Sequence, residues 1–228
     1  MSDTKIRAVM FDMDGTLLNT LADIANSINS ILQQHGFSTH RADSYRLMVG
    51  AGLRLTVEQA IEAGEGENNG QVTDQLIDLM VAEVQTAYAA DPTSRTRLYD
   101  GIAGMLTALE DRGIPMAVLS NKPDGLVQLV AREFLGPWNF RRILGARDGS
   151  PKKPDPTTAL GLAGHLETHP TDILLLGDSE IDMMTARRAG MLAVGALWGF
   201  RDADELWSTG ARVVVTHPEE VLSLVNGR

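Results

Sequence analysis

Cysteine is absent from the 228 residues, which excludes disulfide frameworks, thiolate nucleophiles, iron–sulfur clusters and cysteine-bound zinc. Any metal must then be held by Asp, Glu or His. Basic residues are short as well: 20 Lys and Arg stand against 30 Asp and Glu, a net charge of -10. That is the wrong sign for gripping a phosphate backbone, so nucleic acid is not an expected partner. No apolar run approaches the ~18 residues needed to span a bilayer, and Met1 to Arg7 is polar and charged, so no membrane association is expected and the expected location is cytoplasmic. What is present is ordinary for a folded chain, with 43% hydrophobic residues and a mean hydropathy of -0.07, enough to bury a core. At ~150 residues per domain, the length suits one large domain or a core carrying an insertion.

Short apolar, partly β-branched runs recur along the chain and read as buried strands: Ile6 to Phe11, Ile114 to Leu119, Ile173 to Leu176, Leu192 to Leu197 and Arg212 to Val215, with Arg142 to Leu144 weaker. Between them, helical periodicity covers Gly101 to Arg112, Gly125 to Phe134, Thr157 to Leu166, Ile181 to Ala189 and Ala203 to Trp207. This alternation predicts an α/β fold, a doubly wound parallel sheet covered on both faces. Residues 20 to 90 break it. There, apolar positions fall at helical spacing (Ile24, Ile28, Ile31, Leu32, then Leu76, Leu79, Met80, Val84) with no convincing strand, predicting an inserted helical unit. Gly36 fits just past the end of its first helix, and Asp91-Pro92 marks its exit. Charge agrees with that boundary: residues 19 to 93 carry ten acids and three bases (Arg41, Arg46, Arg54), a net of -7. The expected division is a core of 1–18 and 94–228 with an insert of 19–93.

Four segments carry chemistry, each at or just after the end of a predicted strand, where open parallel sheets bind ligands. In Phe11-Asp12-Met13-Asp14-Gly15-Thr16-Leu17, residues two apart in extended chain face the same way, so Asp12 and Asp14 can share a cleft. Two close carboxylates repel unless a cation neutralises them or one holds a proton; a Mg2+ site beside a general acid meets both needs. A bare D-x-D could equally be an acidic turn capping the next helix. Ser120, in Leu119-Ser120-Asn121-Lys122, suits either a helix cap or a phosphate oxygen. Lys153, in Lys152-Lys153-Pro154-Asp155, could be solvated or could neutralise a transferring phosphoryl group. Asp178 and Asp182, four apart, would stack on one face of a first helical turn and orient a hard cation.

Together these residues resemble, in order and over nearly the whole chain, the four motifs of the haloacid dehalogenase superfamily. Asp12 to Leu17 looks like the first, Ser120 the second, Lys153 the third, and Gly177-Asp178-Ser179 with Asp182 the fourth. Within it, Val49-Gly50-Ala51-Gly52 and Ala196-Leu197-Trp198-Gly199-Phe200 look most like phosphoglycolate phosphatases, while Asn19 departs from the Asp that many relatives carry. The resemblance implies a Rossmann-like core with a helical cap, Mg2+ as cofactor and a small phosphate ester as substrate. It also implies roles. Asp12 would be the nucleophile and Asp14 the general acid and base. The metal would be held by Asp12, Asp178 and the backbone carbonyl of Asp14, with Asp182 supporting that shell. Ser120 and Lys153 would hold phosphoryl oxygens, with Thr16 and Asn121 as hydrogen-bonding auxiliaries. For a carboxylated substrate such as 2-phosphoglycolate, Arg54 is the expected cap contact; an ion pair with Glu58, four residues on, is the alternative. Phosphatases for pyrophosphate or a sugar phosphate, a sugar-phosphate mutase and a phosphorylatable switch remain rival readings. Oligomeric state stays open.

Overall fold

The computed structural model describes residues 5–64 and 72–225. Strand β1 (Ala8–Phe11) is buried at all four positions, because its side chains alternate between two separate cores. Val9 and Phe11 enter one, packed with Ile102 and Met105 of α4 (Ile102–Asp111) and Val127 and Val130 of α5 (Asp124–Phe134). Ala8 and Met10 enter the other, against Leu162 of α6 (Thr157–His165), Met183 of α7 (Glu180–Ala189) and Leu206 of α8 (Ala203–Thr209). At roughly 1.5–3 kcal/mol for each large apolar side chain, such two-sided burial holds the strand at the centre of the sheet.

Around it run β4 (Met116–Pro123), β5 (Phe140–Ala146), β6 (Ile173–Gly177), β7 (Leu192–Ala196) and β8 (Val213–Val215), every pair parallel, in the order β5-β4-β1-β6-β7-β8. This is the expected Rossmann-like sheet. Strand β1 starts two residues later than its apolar run, and two other strands, β4 and β5, differ further from the sequence pattern. β4 starts two residues later than its apolar run and continues through Ser120, Asn121 and Lys122, whose burial comes from the site and not from apolarity. β5 is longer than its weak signal because it is an edge strand, leaving Arg141 and Arg142 exposed.

The chain leaves the core through β2 (Leu18–Asn19) and re-enters through β3 (Arg97–Leu98), which pair antiparallel. Two-residue strands are too short to leave a periodic signal. Between them lies the helical cap: α1 (Leu21–Gln34), a short 3-10 helix over Ala42–Leu47, α2 (Leu53–Glu62) and α3 (Asp74–Ala90). In α1 the expected Ile24, Ile28, Ile31 and Leu32 are all buried, and Gly36 follows the helix with φ 75°. In α3 the inward stripe is Ile77, Met80, Val84 and Tyr88; Leu79, expected to face inward, is half-exposed. Asp23 of α1 ties the cap to the returning strand, its buried carboxylate accepting from the backbone N–H groups of Arg95 and Thr96 (2.8 Å for the latter) and from the Thr96 hydroxyl (2.7 Å).

Candidate active site

The carboxyl ends of β1, β4 and β6 bring together residues more than a hundred positions apart. Asp12 directly follows β1, its N–H donating to the Leu176 carbonyl at 2.9 Å, so the β1–β6 ladder fixes its backbone. The chain then turns tightly, with Leu17 and Leu18 N–H both donating to the Met13 carbonyl at 3.0 Å and Gly15 at φ 86°. Glycine is needed here for a second reason: a Cβ at Gly15 or at Gly199 would collide with the Asp178 carboxylate.

Asp12, Asp178 and Asp182 are all buried, with carboxylate oxygens within 4.8 Å of one another. Lys153 Nζ bridges two of them, donating to Asp12 Oδ1 at 2.7 Å and Asp182 Oδ1 at 2.6 Å. The other oxygen of Asp182 accepts from the Ser179 hydroxyl at 2.6 Å and from its N–H, closing a capping box at the start of α7. Asp178 accepts from the Thr16 hydroxyl at 3.0 Å and the Phe200 N–H at 2.8 Å. Burial pushes the Asp178 carboxyl up to about 7, with the Asp182 charge adding to the shift. Asp12 is raised too, by burial and by the neighbouring Asp182 and Asp178, which together outweigh Lys153. For Lys153, burial favours the neutral amine, but Asp12 and Asp182 prevail and hold it cationic. Three carboxylates against one ammonium leave a formal deficit of two positive charges. An all-oxygen donor set with that deficit fits a hard divalent cation.

Asp14 faces a different neighbourhood. Its carboxylate accepts from the Thr20 hydroxyl at 2.7 Å and from Lys122 Nζ at 3.1 and 3.3 Å. Lys122 also donates to the Tyr88 hydroxyl of α3 at 2.9 Å. Burial again opposes the charge on Lys122, but Asp14 and Tyr88 raise its pKa. Asp12, Asp14, Ser120, Asn121, Lys122 and Tyr88 border one small cavity of about 50 Å³ under the cap, whose remaining wall is mainly apolar.

Two expected substrate contacts, Thr16 and Asn121, have hydrogen-bond partners within the protein. Thr16 is wholly buried and its hydroxyl is committed to Asp178. Asn121 spends its amide on backbone: Nδ2 donates to the carbonyls of Lys153 (2.9 Å) and Gly50 (3.1 Å), and Oδ1 accepts from Lys153 N–H (2.9 Å). Both side chains therefore hold a site residue in place. Arg54 is not brought into the cavity at all. It pairs with Glu58 at 2.8 Å, Asp74 at 2.7 Å and Asp78, because α3 lays two further acids beside α2 and outbids a distant ligand. Sequence reasoning passed over Lys122, Tyr88 and Arg201. Arg201, buried on the core side, donates to the cap carbonyls of Arg46, Leu47 and Val49, while Arg46 donates back to the Gly199 carbonyl at 2.5 Å.

The model of the haloacid dehalogenase-like hydrolases matches residues 9–196, a span that includes every residue of the acidic cluster. The chain belongs to that family. A phosphoglycolate phosphatase of Xanthomonas campestris pv. campestris is 31% identical over 94% of both chains. One of Mannheimia succiniciproducens is 29% identical over 87% of this chain and 88% of its own. Among solved structures, a predicted phosphoglycolate phosphatase from Haemophilus somnus superposes with a TM-score of 0.88 at 26% identity, covering 98% of this chain and 99% of that one. This haloacid dehalogenase-like protein is thus a phosphatase of its family, with the sheet and cap those relatives share. Among its described residues no helix is long and apolar enough to cross a membrane.

Proposed function

We propose that the protein is a Mg2+-dependent phosphomonoester hydrolase that works through an aspartyl phosphate and takes 2-phosphoglycolate as substrate, releasing glycolate and phosphate. The observation that carries this reading is the pairing of two unlike carboxylates at the end of β1. Asp12 lies among buried acids and Lys153, whereas Asp14, two residues on, lies against Lys122 and Thr20 at the wall of the cavity. Two carboxylates in different surroundings can take different parts in one reaction. Asp12, ionised, attacks phosphorus and the ester oxygen leaves; Asp14, which enters the cycle protonated, gives that oxygen its proton and regains one from the water that cleaves the acyl phosphate. Lys153, held by Asp182 and by the Asn121 clamp on its backbone, neutralises phosphoryl oxygens, and Ser120 donates to another. Asp12, Asp178 and the Asp14 backbone carbonyl would hold Mg2+, with Thr16 and Asp182 fixing the carboxylates. When bound, the ion supplies charge neutralisation that lets one anion approach another.

The division into a core of 1–18 and 94–228 and a cap of 19–93 belongs to the same proposal, supported by the β2–β3 ribbon at which the chain leaves and returns. The names of the relatives support the substrate. The test is phosphate release from a panel of small esters by the parent and by Asp12→Asn. The parent should turn over 2-phosphoglycolate best, and the folded variant should lose at least about 10³-fold in kcat, a barrier increase of ~4 kcal/mol. Substantial turnover by the variant would reject Asp12 as nucleophile, and a strong preference for pyrophosphate or a sugar phosphate would reject the substrate.

A further inference from the structure

We propose that Lys122, with the Tyr88 hydroxyl, recognises a second anionic group on the substrate, a carboxylate, and so sets the specificity of the site. This inference rests on the phosphatase reading above and assigns what that reading leaves open: which group meets the part of the substrate that is not phosphate.

The cavity under the cap has two acids on its wall, Asp12 and Asp14, and apolar side chains over much of the rest, among them Ile24, Val49, Leu53, Val84 and Leu126. A carboxylate entering such a space without a partner would lose its hydration and gain nothing in return. Lys122 is the cationic side chain among the residues that line it. The other positive groups nearby are committed or outside. Lys153 is bound between Asp12 and Asp182, Arg54 is held by three acids on the cap, and Arg46 donates to the Gly199 carbonyl. Lys152 is exposed at the rim, beside Gly52.

Lys122 also has the right hydrogen-bonding capacity. An ammonium offers three N–H donors; here one meets the Tyr88 oxygen, and the longer contacts to the two oxygens of Asp14, at 3.1 and 3.3 Å, can share a second, which leaves one for a ligand. Tyr88 accepts from Lys122 and so keeps its own O–H to donate. The two donors touch each other but belong to different parts of the fold, one to β4 and one to α3, so an anion that meets both would be gripped by core and cap together. Position along the chain fits as well. Lys122 follows Ser120 by two residues on the same strand end, and its N–H donates to the Ser120 hydroxyl oxygen at 3.2 Å. A substrate whose phosphate meets Ser120 and whose carboxylate lies a few bonds away can therefore span the two.

The experiment compares 2-phosphoglycolate with 2-hydroxyethyl phosphate, which has the same phosphate and a similar length but no carboxylate. In the parent, kcat/KM should favour phosphoglycolate at least tenfold. Lys122→Met, which keeps the stem and removes the charge, should cut that ratio at least tenfold, and Lys122→Arg should recover part of it. Tyr88→Phe, which keeps the ring, should cut the ratio by a factor of about three to ten and serves if Lys122→Met does not fold. Lys152→Gln should leave the ratio unchanged. Equal losses on both esters in Lys122→Met would mean that Lys122 acts only through Asp14 and would overturn the proposal, as would a ratio that follows Lys152. A parent that hydrolyses both esters alike would also overturn it while leaving the phosphatase reading intact. A parent that hydrolyses no phosphate ester would remove that reading itself.

Discussion

Replacing Lys153 with Met leaves the length of the side chain nearly unchanged and deletes the ammonium that bridges Asp12 and Asp182 at 2.7 and 2.6 Å. The three acids would then be buried within 4.8 Å of one another with no cation in contact. Removing one partner of a buried ion pair costs about 3–5 kcal/mol, and two carboxylates lose their partner here, which argues for the upper half of that range. The acids can escape part of the cost by taking up protons. A carboxyl whose pKa is higher in the folded protein than in the unfolded chain contributes stability that is present at low pH and lost as pH rises through the folded pKa. Asp178 already behaves this way without metal, ionising at about 7, and Asp12 is raised in the same direction. Losing Lys153 must raise Asp12 further, because its charge is what opposes that rise. Urea denaturation of metal-free protein should therefore show a deficit of about 4 kcal/mol at pH 8, shrinking to under about 2 kcal/mol at pH 5. Added Mg2+ should recover part of the loss at pH 8 by binding only the folded form. A deficit below about 1 kcal/mol at pH 8, or one that does not change with pH, would refute the electrostatic account of the triad.

Chelation should abolish phosphate release and Mg2+ restore it, with Ca2+ restoring it poorly because its looser coordination admits bidentate carboxylates. By calorimetry, Mg2+ affinity should weaken about tenfold for each pH unit below about 7, since Asp178 must surrender a proton to bind; affinity flat between pH 5 and 7 would contradict that. Asp14→Asn should lose at least about 10²-fold in kcat on an alkyl phosphate and much less on an ester of an acidic phenol, which departs without a proton; equal losses would count against a general acid. Arg54→Ala should change kcat/KM for 2-phosphoglycolate less than twofold, and should move stability by no more than about 1 kcal/mol, because its three partners are solvent-facing acids of the cap. A tenfold loss in kcat/KM would return Arg54 to the substrate.

The centre of the sheet was legible because β1, β6 and β7 bury nearly every residue, so each reads as an unbroken apolar run. β5 was faint for the opposite reason: at the edge its Arg141 and Arg142 meet water. The acids of the site were legible as well, since Asp12, Asp178 and Asp182 sit in short local patterns at strand ends. Partnerships between distant elements were not. Helical spacing pairs Arg54 only with Glu58 on its own helix, whereas Asp74 and Asp78 arrive from α3. Lys122 reads as one more polar residue beside Ser120 and Asn121. What distinguishes it is the contact with Tyr88, 34 residues earlier, and no local periodicity encodes which side chain a folded cap will lower onto a strand end. The sequence marks Thr16 and Asn121 as hydrogen-bonding auxiliaries to the substrate, but only the fold reveals that Thr16 donates to Asp178 and that Asn121 clamps the backbone of Lys153.

The segment after β7 touches both the cap and the acidic cluster. Phe200 N–H holds Asp178 in place, and Gly199 has no side chain because that carboxylate fills the space. The same two-residue stretch borders both halves of the latch: Gly199 offers its carbonyl to Arg46 of the cap, and Arg201 reaches across to three cap carbonyls. Arg201 is itself flanked by Glu180 at 3.4 Å and Glu205 at 3.1 Å, so its guanidinium is charge-compensated within the core and can spend its remaining donors on backbone. A cap that lifted away would strip Arg201 of those acceptors and pull on Gly199, adjacent to the N–H that orients Asp178. The contacts that hold the cap and the contact that orients the Asp178 carboxylate therefore fall on consecutive peptide units, Gly199 to Arg201.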